Sequence, residues 1–210
     1  MSKLYFYYSA MNAGKSTTLL QSGYNYIERG MQVLLFAPSI DHRFEKAAIH
    51  SRIGLTQEAN GFDKETHFFH LVQEQKNSLL KLACILVDEA HFLTKEQVKQ
   101  LTQITTQLRL PVLCYGLRSD FQGEPFEGSM YLLLLADNLI ELKTICYCGR
   151  KAIMNARMDA QGCIVRSGEQ VEIGGNDKYV AMCRKHFKEG WRNNDDGRSA
   201  AMSQWALDSV

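Results

Sequence analysis

The stretch "YFYYSAMNAGKSTTLL", residues 5–20, decides the fold, because it joins an apolar run to an amphipathic one through Gly-Lys-Ser. It fits the pattern G-x-x-x-x-G-K-[ST] of phosphate-binding loops, except that Ser9 occupies the first glycine position. The apolar residues 4–8 predict a strand, and the spacing of apolar residues after Ser16 predicts a helix that stops near Gly30. The predicted loop comprises Ser9, Ala10, Met11, Asn12, Ala13, Gly14, Lys15 and Ser16.

A loop between a strand and a helix can hold a phosphate, because its backbone N–H groups and the helix N-terminus point at the anion. Lys15 is then expected to reach the β- and γ-phosphates and Ser16 to ligate Mg²⁺. The alternative is an ordinary turn before a helix, with Lys15 solvated. A backbone angle at position 9 that only glycine adopts would count against the phosphate loop.

The composition is that of one globular domain, or one domain with a small appendage. The chain has 210 residues, of which 45% are hydrophobic and 22% charged, with a formal net charge of +1. This balance, without a long basic run, argues against a nucleic-acid partner. The longest apolar run, 131–136, is too short to span a membrane, and no signal-peptide pattern appears. We therefore expect a soluble cytoplasmic protein with no membrane partner.

Alternating strand-like and helix-like segments predict an α/β fold, in which helices cover both faces of a parallel sheet. Thr94 and Gln97 predict a capping box at one helix start. Residues 41–70 are polar and irregular, and we expect them to include a mobile loop. Cys84 and Cys114 lie in apolar runs and are predicted to be core residues. The other elements are expected at 33–37, 84–87 and 111–116 for strands and at 71–82 and 94–108 for helices.

The stretch "CILVDEAHF", residues 84–92, supplies the carboxylates that a phosphate loop needs. Asp88 follows four apolar residues, at a strand end where open α/β sheets bind ligands, and is expected to hold Mg²⁺ together with Ser16. Glu89 can take a proton from an attacking group. The alternative is a pair of surface or capping residues, which the phosphate loop makes less favourable.

Four soft ligands follow residue 143, in the pairs Cys146-x-Cys148 and Cys183-x-x-His186. Two such pairs predict a tetrahedral structural Zn²⁺ site, which leaves no open position for catalysis. The alternative is four unrelated side chains. We expect three parts: an α/β domain over 1–143, a zinc-binding lobe over 144–190 and a tail over 191–210. The polar stretch from 187 onward is expected to be largely disordered.

Taken together, these motifs resemble the thymidine kinases of the type found in many bacteria and in animal cytosol. The resemblance spans nearly all of the chain except its last two dozen residues. It rests on "SAMNAGKST" (9–17), "DHRF" (41–44), "LVDEAHFL" (86–93), "YGLRSDFQGEPF" (115–126), "CYCGRKA" (146–152) and "VEIGGNDKYVAMCRKH" (171–186).

The resemblance implies a fold and a reaction. The fold is a phosphate-loop NTPase-like parallel sheet flanked by helices, with a small zinc-ribbon-like lobe. The reaction transfers the γ-phosphoryl of ATP to the 5′-hydroxyl of thymidine and gives dTMP for nucleotide salvage. Mg²⁺ with ATP, structural Zn²⁺, feedback inhibition by dTTP and a homotetramer are also implied.

The resemblance assigns roles to particular residues. Glu89 matches the general base. Asp88, Glu89, Ala90 and His91 join the phosphate loop as ATP-binding residues. Asp41 and Arg43 match polar residues near the phosphates and the reacting hydroxyl. Five residues match the family's apolar residues around the base and sugar: Met11, Phe92, Leu117, Phe121 and Phe126. Five more match the family's segment over the nucleoside: Val171, Glu172, Ile173, Gly174 and Tyr179. For the three phenylalanines, core packing is the alternative.

Two other functions have to be weighed. A nucleic-acid-stimulated ATPase of the same core fold would use Glu89 to polarise water, but the chain lacks basic stripes. A zinc-ribbon binding module with a degenerate nucleotide site conflicts with the intact Lys15, Ser16 and Asp88. Ser9, His91, Asn155 and the C-x-C pair depart from the usual family pattern, which bears on ATP affinity and on substrate tolerance.

Overall fold

A six-stranded sheet forms the centre of the protein, whose computed structural model describes residues 2–39, 47–79, 81–170 and 178–190. The strands are β1 (Leu4–Ser9), β2 (Gln32–Pro38), β3 (Ala48–His50), β4 (Thr56–Glu58), β5 (Asn60–Phe62), β6 (Leu82–Val87), β7 (Val112–Leu117), β8 (Asn138–Glu141), β9 (Thr144–Ile145), β10 (Lys151–Ala152), β11 (Met154–Met158), β12 (Ile164–Val165) and β13 (Tyr179–Met182). The sheet order is β5-β2-β6-β7-β1-β8, and every pairing in it is parallel. The predicted parallel α/β fold is confirmed.

Helices cover both faces of this sheet, because its strands alternate apolar side chains between two cores. On β6, for example, Ile85 and Val87 face one core while Cys84 and Leu86 face the other. The helices are α1 (Lys15–Ile27), α2 (Phe68–Ser78), α3 (Lys95–Gln103), α4 (Glu127–Leu135) and α5 (Arg184–Glu189). Residues of α2, α3 and α4 pack into the first core, and α1 packs into the second.

The predicted helix over 94–108 is confirmed, together with its capping box at Thr94 and Gln97. Its last turn, Ile104–Leu108, is a π-helix, and Arg109 at φ 56° ends it. The expectation of an irregular segment over 41–70 is wrong for 47–62, because short strands form there. The antiparallel pair β3–β4 buries Ile49 in the second core, and the next helix begins at Phe68.

A smaller lobe follows the sheet. It contains the antiparallel pair β9–β10, the three-stranded sheet β12-β11-β13 and the short helix α5. The expectation that disorder begins at residue 187 is wrong for its first residues, because Phe187 lies in α5 and is buried in the core of the lobe. The tail 191–210 lies outside the described residues. Among those that are described, no helix is long and apolar enough to cross a membrane.

Candidate active site

The loop between β1 and α1 has the conformation of an anion-binding turn. Asn12 and Gly14 have left-handed backbones, with φ values of 62° and 76°, which turn successive N–H groups toward one side. Ser9 is not among the described residues with positive φ. Its hydroxyl oxygen accepts a hydrogen bond of 3.3 Å from Lys15 Nζ. Serine therefore fits position 9 without strain, which removes the main objection to a phosphate loop.

Lys15 lies at the floor of a cavity of about 280 Å³ and is only 8% exposed. Burial lowers the pKa of its ammonium group, while the nearby Glu89 and Asp88 carboxylates raise it. We call this space the phosphate-loop cavity. It is lined by Met11, Asn12, Ala13, Gly14, Lys15, Ser16, Thr17, His50, Ser51, Arg52, Ile53, Glu89 and Leu117.

Asp88 directly follows β6, beside the start of α1, and the residue is 5% exposed. Oδ2 accepts a hydrogen bond of 3.0 Å from the Ser16 hydroxyl, whereas Oδ1 is buried and no described residue hydrogen-bonds to it. Burial, and then the charge of Glu89, raise the pKa of Asp88. A buried carboxylate oxygen without a partner, next to a hydroxyl, is the kind of hard oxygen set that Mg²⁺ prefers. These two residues fit Mg²⁺.

Glu89 stands between two cavities. Its backbone is left-handed at φ 46°, an uncommon conformation for a glutamate, and it starts the 3₁₀ turn Ala90–Phe92. The side chain, 39% exposed, lines both the phosphate-loop cavity and a second, aromatic cleft. The surrounding protein nevertheless removes enough water to raise the pKa of its carboxyl, and the Lys15 ammonium opposes that rise. A carboxylate with a raised pKa suits proton abstraction.

Gly128, in the first turn of α4, fixes the position of this 3₁₀ turn. A Cβ atom there would lie 2.6 Å from the Ala90 carbonyl oxygen, 2.7 Å from that of Leu93 and 2.9 Å from that of His91. Only glycine therefore lets α4 approach the backbone next to Glu89. Sequence reasoning gave this residue no role, because a lone glycine near a helix start carries no signal of such an approach.

His91 packs beneath the aromatic cleft. Its Nδ1 accepts a hydrogen bond of 3.2 Å from the Leu117 backbone N–H, so this nitrogen carries no proton. Burial lowers the pKa of the ring, which keeps it neutral. The 3.4 Å approach of Nδ1 to Glu89 Oε2 is therefore not an ion pair. The ring instead contacts Phe92 and Phe126, with centroids 4.1 and 4.5 Å away.

The aromatic cleft has a volume of about 170 Å³ and contains every predicted wall residue. Phe121 and Phe126 are 1% and 6% exposed, so they belong both to the core and to the cleft wall. The Arg157 guanidinium lies 3.7 Å from the Phe121 ring centroid and holds that ring in place. The cleft is lined by Met11, Glu89, His91, Phe92, Leu117, Asp120, Phe121, Phe126, Asn155, Gln170 and Tyr179.

Asp120 and Gln170 are cleft residues that the sequence did not reveal. Asp120 Oδ1 accepts hydrogen bonds of 2.9 Å from the Gln122 and Glu124 N–H groups, and its Oδ2 accepts one of 3.0 Å from Gln170 Nε2. An aspartate that accepts from N–H groups two and four residues onward is typical of a loop-stabilising turn. That pattern in "SDFQGEP" was the available signal for Asp120.

Asn155 joins the lobe to the sheet domain. It lies on β11 and is 2% exposed. Its Oδ1 accepts a hydrogen bond of 2.7 Å from the Met11 N–H in the phosphate loop, and its Nδ2 donates one of 2.8 Å to the Ser119 carbonyl. The amide therefore connects the phosphate loop, the lobe and the segment after β7 while lining the cleft.

Some predicted site residues are not brought together. Ala90 and His91 do not line the phosphate-loop cavity, although His91 lines the neighbouring cleft. Asp41, Arg43, Val171, Glu172, Ile173 and Gly174 lie outside the described residues. Their roles stay predictions.

The four predicted metal ligands form one cluster. The ligand atoms of Cys146, Cys148, Cys183 and His186 all lie within 4.8 Å of one another. The Sγ atoms of Cys148 and Cys183 are 3.9 Å apart, and His186 Nδ1 is 3.4 and 3.5 Å from the Sγ atoms of Cys146 and Cys183. Zn–S bonds of about 2.3 Å in a tetrahedron place two sulfurs about 3.8 Å apart. The cluster therefore fits a tetrahedral metal ion such as Zn²⁺.

Comparison with known proteins agrees with this geometry. The model of the family "Thymidine kinase" matches residues 2–187. The chain belongs to the thymidine kinase family. It is 62% identical over 190 residues to the thymidine kinase of Legionella pneumophila (strain Paris), and the alignment covers 90% of this chain and 91% of the relative. It is 58% identical over 190 residues to that of Coxiella burnetii, covering 90% and 97%. It is also 58% identical over 189 residues to that of Aliivibrio fischeri, covering 90% and 98%.

Proposed function

We propose that the protein transfers the γ-phosphoryl group of ATP to the 5′-hydroxyl of thymidine, as an ATP:thymidine 5′-phosphotransferase of nucleotide salvage. The observation that carries this proposal is the position of Glu89, which lines both the phosphate-loop cavity and the aromatic cleft. Met11 and Leu117 line both spaces as well. A phosphoryl donor in one cavity and a nucleoside in the other would meet at Glu89.

The donor is held by the phosphate loop. The N–H groups around Asn12 and Gly14 hydrogen-bond the phosphate oxygens, and the Lys15 ammonium neutralises charge on the transferring group. Ser16 and Asp88 would hold Mg²⁺, which when bound supplies further positive charge at the β- and γ-phosphates. Since little covalent chemistry is required of the protein, positioning and charge stabilisation account for most of the catalysis.

The acceptor is activated by Glu89. Its carboxylate takes the proton of the 5′-hydroxyl as the oxygen attacks the γ-phosphorus, and the bond to the β–γ bridging oxygen breaks to release ADP. Phe92, Phe121 and Phe126 form apolar walls around a flat base, and a few polar groups orient it. Leu117 and Met11 hold the sugar end near the phosphate loop.

We assign a structural role to Zn²⁺ at the Cys146–His186 cluster, and we divide the chain into the α/β domain 1–143 and the lobe 144–190. Zinc, when bound, supplies folding free energy to such a lobe. Cys183 follows β13 directly, and Tyr179 begins that strand and lines the aromatic cleft. Cys183, by holding the metal, would therefore anchor a strand that forms one cleft wall, and we assign the segment 171–174, which precedes that strand in the sequence, to nucleoside binding.

Feedback inhibition by dTTP and a homotetramer are part of this proposal. A single molecule with a thymine base and a triphosphate could occupy both cavities, because they meet at Glu89.

The homotetramer needs a surface for subunit contacts. Tyr24 and Ile27 on α1 are 58% and 48% exposed, and Leu55 on the neighbouring hairpin is 45% exposed. They flank an apolar groove of about 340 Å³, the kind of surface that subunit contacts cover. We place the enzyme in the cytoplasm.

A nucleoside screen with purified protein and MgATP tests the activity. We expect ADP release that depends on thymidine, with far slower release for the other nucleosides, and little ATP hydrolysis without a nucleoside. Equal ATP hydrolysis with and without nucleoside would instead indicate an ATPase that uses water as the acceptor.

A further inference from the structure

The turn that closes the β3–β4 hairpin has a fixed shape. Ser51 accepts through its hydroxyl from the Leu55 N–H at 3.0 Å, and its own N–H donates to the Leu55 carbonyl at 2.8 Å. The Gly54 N–H donates to the Ser51 carbonyl at 3.1 Å, and Gly54 has a left-handed φ of 85°. These three hydrogen bonds hold residues 52 and 53 at the tip of a tight turn.

The hairpin is anchored to the body of the protein. Ile49 on β3 is 1% exposed and packs in the same core as Leu19 of α1 and Leu35 of β2. The Ala59 N–H donates to the Ala47 carbonyl at 2.9 Å and continues the pairing beyond the strands. Because the base of the hairpin is fixed on α1, the position of its tip relative to the phosphate loop is also fixed.

The tip of the hairpin faces the phosphate loop. Arg52 lines the phosphate-loop cavity together with Lys15 and Glu89. Among the described residues no ion-pair or hydrogen-bond partner of its guanidinium is found, whereas Lys15 already contacts Ser9 and Ala10. Burial is the main cause of the lowered pKa of Lys15, and the positive charge of Arg52 lowers it further. Two positive charges, with the Glu89 carboxylate, therefore line one cavity.

We propose that Arg52 is a second phosphate-binding residue, which contacts the triphosphate of ATP from the side opposite the phosphate loop. This inference rests on the proposed kinase function and extends it. A guanidinium binds two phosphate oxygens at once through its planar fork, whereas the Lys15 ammonium acts as a point charge. An arginine supplied within the same chain can stabilise charge as a phosphoryl group is transferred. Arg52 occupies the position for that role.

The test compares Arg52→Gln, Arg52→Lys and the control Lys3→Gln. Lys3 is exposed and directly precedes β1, so it lies at the other end of this six-residue strand from the phosphate loop, about 20 Å away. Lys3→Gln removes one positive charge, as Arg52→Gln does. For Arg52→Gln we expect kcat/KM for MgATP to fall about 10- to 100-fold, with thymidine affinity within about twofold of wild type. Arg52→Lys should recover part of this loss, and Lys3→Gln should lose nothing.

Two results would overturn the inference. One is kcat/KM for MgATP within about threefold of wild type in Arg52→Gln; the other is an equal loss of thymidine affinity, which would indicate general distortion of the site. Calorimetric titration with MgATP alone keeps the test independent of the kinase activity. If wild-type protein does not phosphorylate thymidine, the proposed function fails, while Arg52 is still judged by this titration. Equal MgATP affinity in Arg52→Gln and Lys3→Gln would then reject its role.

Discussion

The two parts of the molecule have cores of different composition. The cores on either side of the parallel sheet consist mainly of large side chains, among them Phe6, Leu34, Phe36, Ile85, Leu86, Leu101 and Val112. The core of the lobe consists mainly of small side chains, namely Ala152, Ala156, Ala181, Cys146 and Cys183, together with Ala10 of the phosphate loop. Its only large buried members among the described residues are Met182 and Phe187. Each Å² of buried apolar surface contributes about 25 cal/mol, so alanines contribute little.

This difference indicates that the two parts are stabilised differently. We expect the sheet domain to gain its stability from apolar burial, and the lobe to depend on a metal ion held by its cysteines and histidine. The phosphate-loop cavity is lined by residues of the sheet domain, while Asn155, Gln170 and Tyr179 of the lobe complete the aromatic cleft. ATP binding and thymidine binding should therefore respond differently to damage in each part.

The largest effect is expected from Lys15→Ala, which removes catalytic charge without touching either core. We expect turnover to fall by about 10³- to 10⁵-fold, because a cation at the transferring phosphoryl group is lost. Steady-state kinetics measure the loss, and metal analysis with circular dichroism checks that zinc content and fold are kept. Lys3→Ala is the control. Near-normal turnover by a folded Lys15→Ala variant would show that the phosphate loop is not the donor site.

Glu89→Gln tests the residue at which the two cavities meet. The amide keeps the shape of the side chain but loses its basicity, so we expect kcat to fall about 10²- to 10⁴-fold with thymidine affinity largely kept. Kinetics and a thymidine titration measure the two quantities, with the exposed Glu65→Gln as the matched control. A loss below about threefold would mean that another group takes the proton.

A smaller effect is expected from Asn155→Ala, which breaks the connection between lobe and sheet domain. It leaves the Met11 N–H and the Ser119 carbonyl without their partner, at a cost of about 1–3 kcal/mol each. We expect thymidine affinity to fall at least about tenfold while zinc is retained, with a smaller loss for Asn155→Asp, which still accepts from Met11. Unchanged thymidine affinity in Asn155→Ala would show that this bridge does not hold the cleft together.

The sequence was sufficient for much of the fold and of the site, because the decisive signals are local. The phosphate loop, the acidic pair at the end of β6 and the capping box at Thr94 each depend on residues within one short segment. The metal ligands could be paired as well, since the C-x-C and C-x-x-H spacings restrict each pair to one turn.

The rest depends on contacts between distant segments. Asn155 meets Met11 across 144 positions and Gly128 meets Ala90 through tertiary packing, so no local pattern indicates either contact. The β3–β4 hairpin gives no strand signal in the sequence, because its strands have three residues each and β4 is exposed throughout, which leaves no clear alternation. Without the hairpin, the sequence does not indicate a role for Arg52.

We expect a metal ion at the cluster to hold the lobe, and through β13 the nucleoside site, but not the ATP site. The most direct test is Cys183→Ser, with Cys163→Ser as the control, since Cys163 is exposed and outside the cluster. Elemental analysis and separate titrations with thymidine and MgATP are made on each variant. We expect about one zinc per chain in wild type and control. In Cys183→Ser we expect zinc loss and at least about tenfold weaker thymidine binding, with MgATP affinity kept. Full thymidine affinity without zinc, or equal loss of both affinities, would contradict the account.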